Sequence, residues 1–108
     1  MSKMTKAEYR AEYKEMKRMV MPYIKKHAYL AQACQCVPYT MSVYAVRIFG
    51  RVFRGAGVSK CIATDVWSPT QGSNRAEGRA MGELIARVTR YAVRHDMAAY
   101  AAGIVEEA

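Results

Sequence analysis

Residues 42–67, SVYAVRIFGRVFRGAGVSKCIATDVW, decide the fold class, because the stretches on both sides of them read as helix. Val43, Tyr44, Val46, Ile48, Phe49, Val52 and Phe53 are β-branched or aromatic, the residues that suit a pleated, half-buried surface. In a strand, Tyr44, Val46, Ile48 and Val52 share one side, and Arg47, Phe49, Arg51 and Phe53 the other. A helix would also gather Arg47, Arg51 and Arg54 into a narrow arc, so periodicity alone does not choose. The neighbouring residues do. After Arg54-Gly55-Ala56-Gly57, which reads as a turn, VSKCIATDVWS is too short and too β-branched for a good helix. A strand there needs a partner for its backbone donors and acceptors, and the preceding stretch is the nearest. The expectation is an antiparallel hairpin of residues 42–54 and 58–67. Ser68-Pro69-Thr70-Gln71-Gly72 is then the loop that leads out of it.

That loop delivers the chain to residues 73–97, SNRAEGRAMGELIARVTRYAVRHDM. Asn74 and Glu77 form a capping pair with Ser73 just ahead, which starts a helix here. At about 100° per residue, Met81, Leu84, Ile85, Val88, Ala92 and Ala99 fall on one face. Arg75, Arg79, Arg87, Arg90 and Arg94 fall on the other, in an arc roughly 120° wide in which Glu83 is the one acidic residue. Arginines four apart, such as Arg75 with Arg79 or Arg90 with Arg94, repel each other unless an anion lies across them. Ser73, Asn74 and Arg75 would add helix N-terminal amides and a guanidinium fork, both suited to phosphate, with Gly72 allowing close approach. Lys60, Arg47 and Arg51 extend the patch if they lie on the same side of the fold.

Toward the N-terminus, Thr5 and Glu8 make a capping box that opens a first helix. Tyr9, Tyr13, Met16 and Val20 recur on it as a narrow apolar stripe, and the mixed charges opposite read as an ordinary solvated face. Pro22 ends or kinks this helix, or begins a second one. Ile24, Ala28, Ala31 and Cys34 keep helical spacing to about Cys34, although YLAQACQCV also tolerates a strand. The fold class expected is α+β: an N-terminal helix or helices, a small antiparallel sheet, and a long C-terminal helix packed on it through Met81, Leu84 and Val88. So small a sheet leaves open edges, and pairing of two copies is one way to protect them.

Composition limits the function. A chain of 108 residues with no visible repeat or linker is expected to be a single domain, 1–108. No apolar run is long enough to span a membrane, and the N-terminus lacks a secretory apolar region, so an intracellular location is expected. Cys34, Cys36 and Cys61 are an odd count suited to reduced thiols. With His27 or His95 they reach the number of ligands for zinc, but the Cys-x-Cys spacing is not the usual one, and no metal or cofactor is expected. His95 and Asp96 are adjacent on a helix and point about 100° apart, so they form no dyad. His95 is read as packed, and Trp67 as a core anchor rather than a base-stacking ring. Asp65 and Asp96 leave little for a two-metal nuclease, and an enzyme is not expected. Seventeen Lys plus Arg against nine Asp plus Glu give a formal charge of +8, which calls for an acidic partner.

The layout is similar to that of double-stranded-RNA-binding domains, whose final helix begins with basic residues after a glycine- and serine-containing loop. The corresponding stretch here is Gly72-Ser73-Asn74-Arg75-Ala76-Glu77-Gly78-Arg79-Ala80. It departs from that family in lacking the lysine pair, in the glutamate within the basic run and in showing no obvious third strand. In outline the chain also resembles phage annealing proteins that lay a helix on a small sheet. The function expected is non-enzymatic binding of nucleic acid at the phosphate backbone. The alternative is a small inhibitor or adaptor that sets its arginine face on an acidic protein surface or captures an anionic nucleotide.

Overall fold

The computed structural model describes residues 4–60 and 69–107. Thr5 caps helix α1 (Lys6–His27), its hydroxyl accepting the Glu8 amide at 3.1 Å. Met16, Val20 and Ile24 are buried, with Tyr9 and Tyr13 packed beside them. Pro22 neither ends nor begins a helix; it lies inside α1. Its ring is on the exposed side, where water can meet the carbonyl that loses its donor, and the burial of Val20 and Ile24 holds the turns on either side.

The helix expected to reach Cys34 stops at His27, and residues Tyr29–Cys36 form strand β1. Continued as helix, this stretch would bury only Ala28, Ala31 and Cys34, too little to hold it. As a strand it takes backbone hydrogen bonds from its neighbour. Strand β2 is Tyr39–Ile48 and strand β3 is Arg51–Lys60, antiparallel throughout, in the order β1-β2-β3. Val37 and Pro38, joined by a cis peptide bond, connect the first pair. The sheet therefore has a third strand, β1, where the sequence showed no obvious one.

The hairpin exists, but its turn is not at Arg54–Gly57. Residues 42–54 are broken at Phe49-Gly50, with φ of 56° and 71°, the left-handed pair of a two-residue hairpin turn. Val46 pairs with Phe53, and Ser42 with Gly57. Gly55 and Gly57 lie within β3, where a Cβ would collide with the backbone of Ala80 and Leu84 or of Ala76 and Ala80. Their role is close approach of sheet and helix, not a change of direction. Residues 61–67 of the expected second strand, with Ile62, Asp65 and Trp67, lie outside the described residues.

Helix α2 runs from Pro69 to Arg94. Pro69, Thr70, Gln71 and Gly72 are thus helix rather than loop, and proline suits the first turn because its missing amide would be unpaired there anyway. The helix stops three residues short of Met97: Asp96 takes the left-handed conformation at φ 51°, and the Met97 amide returns to the Ala92 carbonyl at 2.9 Å. Helix α3 (Ala98–Glu107) follows. The α+β layout stands, with a long helix covering a small antiparallel sheet.

Which side of α2 is covered changes along its length. Ala76, Ala80 and Leu84 press on β3, while Ala92 and Val93 lie beside Met16 and Met19 of α1. Met16, Val20, Ile24, Val46, Ile48, Leu84 and Val88 join in one buried cluster. Both long helices therefore lie on the sheet face that bears Val46 and Ile48. No described helix lies on the other face. The molecule measures 51 × 30 × 18 Å, thin across its layers.

Candidate nucleic-acid interface

Arg75, Arg79, Arg87 and Arg94 are exposed and Arg90 partly so. They do not form one continuous solvent stripe. At about 100° per residue, Ala76 and Ala80 fall within about 20° of the directions of Arg94 and Arg87, yet both alanines are buried against β3. The basic surface is thus divided between the two halves of α2. In the first half, Arg79 donates from Nη1 to the Val58 carbonyl and lies along β3. Arg75 has no ion-pair partner among the described residues.

The second half is more crowded. Arg87 donates from Nε to Glu83 Oε1 at 2.8 Å, and Arg90 Nη2 stands 3.8 Å from the same oxygen. The Glu83 carboxyl is held below its ordinary pKa by the Arg87 hydrogen bond first, partly opposed by desolvation, with the charges of Arg87 and Arg90 adding to the lowering. Arg94 has no ion-pair partner among the described residues. Both it and Arg87 flank Tyr91 on the helix surface, three and four residues away.

Tyr91 brings a strand into this patch. The Arg51 guanidinium carbon is 5.1 Å from its ring centroid, Phe53 packs edge-on at 5.1 Å, and Phe49 lies stacked at 6.3 Å. His95, read from sequence as packed, is exposed and lies 4.3 Å from the same ring. His95 keeps the helical bond from its amide to the Tyr91 carbonyl at 3.0 Å, but the covered side of this half of α2 runs through Thr89, Ala92 and Val93 and leaves His95 outside it. Arg51 reaches Tyr91 because the two-residue turn sets it opposite Ile48, on the helix side, while Arg47 opposite Val52 falls on the far side. The two arginines expected on one side of a strand are therefore on opposite faces of the sheet. No sequence spacing marks Arg51 as part of the patch; only the position of the turn does.

Four expected contributors, Ser73, Asn74, Gly72 and Lys60, do not build a phosphate site at the start of α2. Because α2 begins at Pro69, the amides of Ser73 and Asn74 belong to its interior ladder. The Ser73 hydroxyl instead accepts from Gln35 Nε2 at 3.2 Å, and Asn74 is exposed. The close approach at Gly72 is to Thr40 of β2, whose Oγ1 would stand 2.7 Å from a Cβ there. Lys60 is on the sheet face away from α2, opposite Tyr39, with Nζ 5.4 Å from that ring centroid. Cys34 and Cys36, two apart on β1, are both exposed, while Cys61 lies outside the described residues. No cluster of three His, Cys, Asp or Glu capable of holding a metal occurs among the described residues.

Charge is distributed unevenly along the chain. Between Glu15 and Asp65 there is no acidic residue, so all three strands carry only neutral or basic side chains. No described helix is long and apolar enough to cross a membrane. No family model matches the chain, and neither a curated protein nor a solved structure does.

Proposed function

We propose that this protein binds nucleic acid non-enzymatically, meeting the phosphate backbone through the arginines of α2. The observation that carries the reading is Arg51 of β3 over the Tyr91 ring, which Arg87 and Arg94 flank at helical spacing beside Arg90. Guanidinium groups brought together by two separate elements hold one another at a cost that a polyanion relieves. From Arg87 to Arg94 the second half of the helix covers about 10 Å at 1.5 Å per residue, which follows roughly three steps of one DNA strand at about 3.4 Å each. With contacts to backbone rather than to base edges, binding tolerates many sequences.

Electrophoretic mobility shift on single- and double-stranded DNA and RNA, at two salt concentrations, tests the reading. A shift that weakens steeply with salt and that free mononucleotide does not displace is the expected result. Failure to retain any of the four polymers at low salt overturns it, and displacement by mononucleotide transfers the arginine face to the capture of a small anion. A homodimer through the outer edge of β1 belongs to the same proposal. All eight residues of that strand are exposed and none is charged, so its edge lacks the usual protection against pairing. Sedimentation equilibrium reads the dimer directly.

A further inference from the structure

We infer that the face of the sheet turned away from α2 is the docking surface for an amphipathic helix with acidic ends, supplied by a partner protein. Gly55, Gly57 and Ser59 of β3 point at α2, so the pleat turns Val58 and its opposite number Met41 the other way, with Val43 two residues along. Val52 and Val58 are 49% and 47% exposed, and Met41 and Val43 half-buried. An open apolar centre of this kind, on a sheet whose opposite face is already covered, marks an interaction surface.

Its rim selects the partner. Lys60 stands at one end of β3 on this face, and Arg54 six residues away stands near Arg47 of β2 toward the other. At about 3.4 Å per residue the two cationic ends are roughly 20 Å apart. That distance is about thirteen residues of α-helix. Three strands about 4.8 Å apart make a bed about 10 Å wide, the diameter of one helix, as α2 demonstrates on the other side. An apolar stripe over Met41, Val43 and Val58, with carboxylates meeting Lys60 and the Arg47–Arg54 pair, satisfies both the centre and the rim.

Other occupants fit less well. A second copy laid face to face would set Arg47, Arg54 and Lys60 against like charges. A single nucleic-acid strand calls for successive rings on which bases stack, whereas the centre here is aliphatic, Tyr29 lies apart on the edge strand opposite Ala45, and Lys60 already covers the Tyr39 ring. The surface is on the opposite side of the sheet from the α2 arginines, so the inference stands whether or not those bind nucleic acid.

The test titrates the isotopically labelled full chain with three probes, followed by backbone amide NMR shifts. One is a synthetic helical peptide of about fourteen residues, with leucines spaced three and four apart and glutamates at both ends. The second carries lysines in place of the glutamates, and the third is oligothymidine. The glutamate peptide is expected to move the Met41, Val43 and Val58 amides and to bind about tenfold more tightly than its lysine counterpart. In Val58→Glu those shifts are expected to disappear while the amides of Leu84 and Val88 stay in place, which shows an intact core. The inference is overturned if the glutamate peptide leaves this face unmoved, if the two peptides bind equally, if oligothymidine alone shifts it, or if it shifts on concentrating the free protein.

Discussion

Glu83 sits where it subtracts from the charge that a polyanion would meet, one carboxylate oxygen shared between Arg87 and Arg90. Both partners of the closer pair are well exposed, so the bridge contributes little to folding. Its titration still has a sign. Because the hydrogen bond from Arg87 lowers the folded-state pKa below the ordinary 4.5, the small stabilisation is present above the unfolded carboxylate range and is lost as pH falls through the lowered value. The same protonation releases two guanidinium groups. Affinity for DNA or RNA should therefore rise as pH falls into that range, and Glu83→Gln should reproduce the gain at neutral pH. An increase of about threefold, with a log–log salt slope steeper by about one, is expected from fluorescence anisotropy, and thermal unfolding should barely move. A Glu83→Gln protein that binds no better than the parent would mean that Arg87 and Arg90 do not touch the polymer.

At the scale of elements, the contact of α2 with β3 is set by two glycines. Gly55→Ala or Gly57→Ala places a methyl into helix backbone and should destabilise by about 1–3 kcal/mol or more. Gly78 and Gly82 face open space on the same helix, so alanine there should be neutral or stabilise by about 0.5–1 kcal/mol. Urea unfolding of the four variants separates the two pairs, and equal effects would refute the close packing. These glycines also show why the hairpin was legible and its turn was not. Glycine announces a turn or a close approach alike, and only the second applies at Gly55 and Gly57. The real turn uses Phe49, an unusual residue for positive φ, held beside Tyr91 by packing that no local pattern reveals. The Thr5–Glu8 cap and the Leu84, Ile85, Val88 and Ala92 stripe of α2 were legible because each depends on residues within a turn or two of one another, whereas Ala99 is exposed on α3 and Ala76, Ala80 and Val93 are buried by neighbours that helical spacing does not name. Strand β1 was ambiguous because it buries neither face and so shows no alternation. The α2 arginines could be read from helical spacing, while the arrival of Arg51 and the departure of Lys60 to the far face depend on register.

Across the whole molecule, the layers keep two surfaces apart: the α2 arginines with Tyr91 on one side, and the open sheet with Arg47, Arg54 and Lys60 on the other. The described acids stand mostly on the helices, with Glu8, Glu12 and Glu15 on α1 and Glu77 and Glu83 on α2. The polymer field should therefore be felt at the second half of α2, where exposed arginines and Arg51 meet. The most direct measurement is the salt dependence of DNA and RNA binding for the parent and for a protein with Arg87, Arg90 and Arg94 all replaced by glutamine. The parent should show a log–log slope near −3 to −4, about four phosphate contacts, and the triple variant should lose about one unit of slope for each contact removed, regardless of base sequence. Thermal unfolding should stay close to the parent's, since these side chains project from the core rather than into it. A triple variant that remains folded and binds both polymers with the parent's affinity and slope would contradict the account.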